Sequence, residues 1–155
     1  MTHHRFGLWN KGRLTIALAL ILILLATGCN SVNENAVLVT RIIDGDTIEI
    51  EGGYRVRYIG IDTPEKDEHY YWEALRANRN LVEGKKIRLE KDVDDKDEYG
   101  RLLRYVWVDN IMVNAELVKS GYAYSYSYPP NTKYQTYFLQ LEQEAREHKR
   151  GLWSG

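Results

Sequence analysis

A single cysteine, Cys29, stands in the 155 residues, so no intrachain disulfide can brace the fold. Basic residues do not outnumber acidic ones: 21 Lys and Arg face 22 Asp and Glu. That balance excludes a protein that holds polyanions through bulk positive charge. Internal repeats and low-complexity stretches are lacking, which excludes solenoids and collagen-like rods. The longest apolar run, Leu14 to Ala26, is short for an easy bilayer crossing. What remains is a chain with 28% charged and 44% hydrophobic residues, enough for one globular domain held by packing or by packing plus a ligand.

The first 28 residues differ in kind from the rest. Arg5, Lys11 and Arg13 precede the apolar run, and Thr27, Gly28 and Cys29 follow it, giving the charged, apolar and small-residue zones of a secretory signal. Leu25-Ala26-Thr27-Gly28-Cys29 resembles a bacterial lipoprotein signal, in which the cysteine is lipidated and becomes the first mature residue; Ala26 departs from the Leu usual three residues before it. An uncleaved anchor or a short core helix is the plainer reading of the same run. The expected organisation is a signal over 1–28, a polar tether over 29–35 and one domain over 36–155. The mature chain is expected to be exported, either anchored to the cell membrane through Cys29 or secreted. Removing the signal leaves 18 basic residues against 22 acidic ones, about −4, so any polyanion must be drawn by local cations.

The domain begins with strands. Ala36 to Ile43 is β-branched and apolar, Asp44-Gly45 reads as a turn, and Asp46 to Ile50 alternates. Gly52-Gly53 turns the chain into a third strand over Tyr54 to Ile61, and Lys86 to Glu90 and Leu102 to Val108 supply two more. Apolar spacing predicts a helix between Tyr70 and Glu83, a short one capped by Asn114, and a third from Thr136 to His148. Five strands with interspersed helices predict an α+β chain built on a Greek-key barrel of the OB type.

Candidate chemistry lies in three clusters. Asp44-Gly45-Asp46-Thr47 and Asp62-Thr63-Pro64-Glu65 are each ordinary as acidic turns. Both fall at strand ends of one meander, so Asp46, Asp62 and Glu65 can converge, and carboxylates so close repel one another unless a cation joins them. Oxygen donors without His or Cys favour a hard ion, Ca²⁺ before Mg²⁺ or Mn²⁺. In the third cluster, Asp97 to Arg101, a glycine turn sets Arg101 at a strand start, while Arg57 sits mid-strand among aromatics. Salt bridges to the abundant acids explain both arginines without function. Two arginines facing a carboxylate-bound cation are also what phosphoryl chemistry requires. Tyr122, Tyr124, Tyr126 and Tyr128 share one face if extended, as a stacking stripe or as rings packed under the last helix. Asp92 to Asp97 starts like an EF-hand loop, but Lys96 and Asp97 fill positions such a loop cannot spare, so it reads as a solvated acidic loop. His69 reads as a solvated loop residue.

Ile43-Asp44-Gly45-Asp46-Thr47, then Arg57 with Asp62-Thr63-Pro64-Glu65, then Asp97-x-Tyr99-Gly100-Arg101, then Met112-Val113-Asn114 with Leu117-Val118 and Gly121, resemble in order and spacing the staphylococcal nuclease (thermonuclease) family. The resemblance runs from about residue 36 to the Leu152-Trp153-Ser154 segment. It implies a five-stranded OB-fold barrel with three helices and Ca²⁺-dependent cleavage of DNA and RNA, leaving 3′-phosphate and 5′-hydroxyl ends. By motif position it implies that Asp46 and Asp62 bind calcium through carboxylates and Thr63 through its carbonyl, with Asp44 supporting them. Glu65 would serve as general base, Arg57 and Arg101 as phosphate-binding catalytic residues, and Tyr99, Tyr126 and Tyr128 as substrate-binding residues, the last two allowing a one-residue deletion. The chain is expected to act as a monomer. Two departures stand out: Glu98 replaces a phosphate-contacting lysine, and residues 66–73 are short and acidic or aromatic where a long basic loop is usual. The competing class is a catalytically idle OB module at the cell surface that binds nucleic acid or a protein. The full set Arg57, Glu65 and Arg101 beside two acidic ligand positions favours the enzyme.

Overall fold

The computed structural model describes residues 36–155. The signal, the tether and Cys29 lie outside the described residues. From Ala36 the order is β1 (Ala36–Ile42), β2 (Thr47–Ile50), β3 (Tyr54–Tyr58), β4 (Ile61–Asp62), α1 (Tyr71–Val82), β5 (Lys86–Glu90), β6 (Leu102–Val108), β7 (Ile111–Met112), α2 (Val113–Lys119), β8 (Tyr124–Ser125), α3 (Gln135–Glu147) and a final 3₁₀ turn at Gly151–Trp153.

Strands β1, β2, β3, β5 and β6 form the expected barrel. The sheet runs β3-β2-β1-β5-β6-β7, and a parallel pairing of β3 with β6 closes it. Alternation decides what points inward: Val39, Ile48, Ile50, Val56, Tyr58, Ile87, Leu103 and Tyr105 are buried, and Val106, on the other face of β6, is buried too. Helices α2 and α3 cover the barrel with Val113, Leu117, Val118, Phe138 and Ala145. Each buried apolar side chain contributes roughly 1.5–3 kcal/mol, which replaces the disulfides the chain lacks.

The third strand is shorter than expected. Gly60 adopts φ 81° and breaks it, so Ile61–Asp62 turns away and pairs with Tyr124–Ser125. A side chain at position 60 would also strike the Phe138 ring, its Cβ only 2.6 Å from the ring edge. That break lets Asp62 leave the sheet at the rim of the barrel.

Three expectations need correction. Asn114 does not cap α2; Met112 holds that position, and Asn114 lies fully buried inside the helix. Its Oδ1 accepts from Val106 N–H at 2.9 Å and its Nδ2 donates to the Ile59 carbonyl at 2.9 Å, so it ties helix to barrel. The four tyrosines do not share a face, because only Tyr124–Ser125 is strand there: Tyr122 packs on the core, Tyr124 meets Trp153 edge-on, and Tyr126 and Tyr128 turn to a cavity. The acidic loop is more than solvated. Asp92 accepts from the Tyr105 hydroxyl, Asp95 pairs with Arg104, and Asp97 is sequestered against Arg101.

Candidate active site

At the barrel rim the β1–β2 turn, β3, β4 and the loop after β4 converge. The turn is narrow because Gly45 has no side chain; a Cβ there would stand 2.6 Å from Thr63 Oγ1. The resulting contact lets Thr63 donate twice to Asp46 Oδ2, from its N–H and its Oγ1, each at 2.8 Å. Asp44 Oδ1 accepts the Asp46 N–H at 3.0 Å and so shapes the turn from within. Asn78, the polar break in the apolar stripe of α1, accepts from the Tyr58 hydroxyl and donates to the Asp44 carbonyl, linking helix, barrel and turn. Only that break in an otherwise apolar stripe signals Asn78 in the sequence.

Arg57 bridges the two acids. One guanidinium nitrogen lies 3.1 Å from Asp46 Oδ1 and the other donates to Asp62 Oδ1 at 2.8 Å, while the Tyr58 and Ile61 carbonyls fix its plane. A guanidinium held by acceptors on several sides is aimed before any ligand arrives. Burial, above all, pushes the Asp46 carboxyl up to about 7, and Asp44 and Asp62 add to the rise while Arg57 and the Thr63 hydroxyl oppose it. Asp62 is raised as well, by burial and by Glu68 and Asp44, against the pull of Arg57.

A polar cavity of about 230 Å³ opens here, lined by Asp44, Asp46, Arg57, Asp62, Thr63, Pro64, Glu65 and Arg101. Glu65 is exposed at its edge, and its N–H donates to Glu68 Oε2 at 2.8 Å. Arg101 is held from the opposite wall: Asp97 Oδ2 accepts from its Nε at 2.6 Å, and Asp97 Oδ1 accepts the N–H groups of Tyr99 and Arg101. Tyr99 is strongly exposed, its ring 5.5 Å from the Arg101 guanidinium carbon. A second cavity of similar size adjoins the first, sharing Arg57, Asp62 and Arg101 and adding Tyr126 and Tyr128, whose rings stand 6.5 Å apart. Tyr126 is positioned by its N–H donating to the Gly60 carbonyl. Nine of the ten candidates among the described residues therefore line two joined cavities, and Tyr99 lines neither, standing exposed beside Arg101. His69 is exposed and meets only the Tyr70 ring edge-on.

Among the described residues no three of His, Cys, Asp and Glu form a ready ligand cluster. The oxygen donors lining the rim are nevertheless the carboxylates of Asp44, Asp46, Asp62 and Glu65 with the oxygens of Thr63, without His or Cys, and the charges of Asp44 and Asp62 add to the burial that raises the Asp46 carboxyl. That donor set fits a hard divalent cation, which would relieve the crowding in addition to Arg57.

The chain is similar to known proteins. Residues 55–155 match the family described as staphylococcal nuclease homologue. A thermonuclease of Staphylococcus hyicus is 38% identical over 83% of this chain and 82% of its own length. A thermonuclease of Staphylococcus intermedius is 39% identical over 79% and 78%. Endonuclease YncB of Bacillus subtilis is 44% identical over 76% of this chain and 61% of its own length.

Proposed function

Since this chain belongs to the staphylococcal nuclease family and is a nuclease, we propose that it hydrolyses phosphodiester bonds of DNA and RNA with calcium as its resident ion, leaving 3′-phosphate and 5′-hydroxyl ends. The observation that carries this reading is Arg57 braced by Asp46 and Asp62 in a polar cavity that Glu65 and Arg101 enter from two other walls.

Asp46 and Asp62, with the Thr63 carbonyl, would hold the ion, and Asp44 keeps Asp46 aimed. The ion, when bound, polarises a phosphoryl oxygen and offsets the negative charge of substrate and carboxylates. The chain's own groups do the rest. Glu65 accepts a proton from the water whose oxygen attacks phosphorus. As that bond forms, the bond from phosphorus to the 5′ oxygen breaks, and the leaving oxygen takes up a proton from solvent. Charge builds on the non-bridging oxygens of the five-coordinate phosphorus, where the guanidinium groups of Arg57 and Arg101 donate paired hydrogen bonds. Tyr99, Tyr126 and Tyr128 would receive the nucleoside; the cavity lined by Tyr126 and Tyr128 supports the assignment for those two, and the exposed Tyr99 ring beside Arg101 supports it for the third.

The sequence of residues 1–29 supports an exported protein, lipid-anchored at Cys29. Loss of membrane association in Cys29→Ser tests the anchor.

The test of the activity uses the full-length chain in detergent on single-stranded DNA, duplex DNA and RNA, with calcium or a chelator, beside Glu65→Ala and Arg57→Ala. Calcium-dependent cleavage that falls at least a hundredfold in each variant, as for loss of one charge-stabilising group, is expected. Equal rates with chelator, or undiminished rates in both variants, overturn the reading.

A further inference from the structure

The loop that follows Glu65 is short and folded. Glu68 N–H donates to the Glu65 carbonyl at 2.8 Å and Tyr71 N–H to the Glu68 carbonyl, so successive turns lead from Glu65, at the cavity edge, into the head of α1. Tyr70, in the left-handed region at φ 71°, is fixed at its far end by a 2.7 Å hydrogen bond between its hydroxyl and Ser154. Helix α1 therefore starts from a held point.

Its inner face is Ala74, Leu75, Asn78 and Val82, all buried. Trp72, Arg76 and Arg79 fall at i, i+4 and i+7, which places them along one flank. Trp72 is 60% exposed, a costly place for an indole without a ligand, and the Tyr71 ring supports it edge-on at 5.0 Å. Arg76 and Arg79 are exposed and engaged only by neighbours on the same helix, Glu73 at 3.0 Å and Glu83 at 3.6 Å. Such pairs are weak enough for a phosphate to displace. In the chain, Asp67 and Glu68 separate Glu65 from Trp72.

Building on the nuclease reading, we propose that this flank binds the unpaired strand beyond the scissile phosphate, with a base stacked on Trp72 and phosphates held by Arg76 and Arg79. An aromatic face accepts any base but needs one free of its partner, so the flank selects single strands over duplexes without reading sequence. Arg76 and Arg79 supply charge complementary to phosphate on a chain that, without its first 28 residues, carries about −4.

The test measures binding separately from cleavage. A fluorescein-labelled twelve-nucleotide single strand and the matching duplex are titrated with the full-length chain in detergent, with chelator present. Trp72→Ala is expected to weaken single-strand binding about tenfold, the scale of one lost base stack, and Trp72→Phe to recover most of it. Arg76→Ala/Arg79→Ala is expected to lower the slope of log affinity against log salt by about 1.4. Both substitutions are at exposed positions, and an unchanged thermal midpoint verifies folding. Single-strand binding at wild-type strength in Trp72→Ala, or an unchanged salt slope in the arginine variant, overturns the proposal. Adding calcium to the wild type then reads the nuclease alone: binding without cleavage overturns the nuclease reading and leaves the platform supported.

Discussion

Asp97→Asn isolates the bond that aims Arg101. The Asp97 side chain is only 3% exposed; its Oδ1 accepts two backbone N–H groups and its Oδ2 accepts Arg101 Nε at 2.6 Å. Asparagine keeps the first oxygen and replaces the second by a donor, so both backbone bonds survive and the ionic one is lost. A charge-assisted hydrogen bond contributes about 1.5–3 kcal/mol when sheltered; with Arg101 28% exposed, the lower end of that range, about 1.5 kcal/mol, is the expected loss. Urea unfolding reads it as a midpoint lowered by about 0.5–1.5 M with unchanged slope. The freed guanidinium no longer waits where charge develops on phosphorus, and kcat/KM for a single-stranded substrate is expected to fall about ten- to a hundredfold. Asp97→Ala, which also strips the two backbone donors of their acceptor, should be less stable still. A variant Asp97→Asn that unfolds within 0.2 M of the parent and cleaves at the parent rate would refute the view that this ion pair positions Arg101.

Asn114→Ala leaves a buried N–H and a buried carbonyl without partners, and is expected to cost about 2–5 kcal/mol in urea unfolding. Gly45→Ala drives a methyl against Thr63, which holds Asp46; activity should fall by up to about a hundredfold with a far smaller change in thermal midpoint. Burial alone would raise the Glu90 carboxyl, but hydrogen bonds from Lys133, Tyr134 and Trp107 outweigh it and hold the group below its ordinary value. A carboxyl depressed in the folded state stabilises above its unfolded value and loses that contribution as pH falls through the folded one. Glu90→Gln should therefore flatten the acid limb of stability measured between pH 5 and 2, with little effect on that slope at pH 6–8.

Much of the barrel was legible because its strands alternate. Lys86–Glu90 and Leu102–Val108 appear with the bounds their patterns suggest, since a period of two admits one register once a face is buried. The Gly60 break was not, because a glycine within a strand pattern does not say whether the chain bulges or leaves; the Phe138 ring, 78 residues onward, decides it. Asn114 was misplaced for a similar reason. An asparagine before an apolar run has the form of a cap, and only the meeting of α2 with β6 and Ile59 supplies the partners that draw it inward. Tyr122 to Tyr128 alternate as a strand would, yet the chain departs from strand geometry after Ser125.

For the site, the sequence supplied the candidates, through the order and spacing of motifs that resemble the staphylococcal nuclease family: acids at turn and strand ends, one arginine mid-strand and one at a strand start, and a glutamate beside a proline. Local patterns encode these because turn chemistry and strand alternation act over a few residues. Only the tertiary structure decided that Arg57 lies between Asp46 and Asp62, that Asp97 rather than a distant acid holds Arg101, and that Asn78 ties α1 to the turn. The Arg57–Asp46 and Asn78–Asp44 contacts join segments whose separation no local propensity senses, and the parallel β3–β6 pairing brings Arg101, just ahead of β6, to the cavity that Arg57 lines.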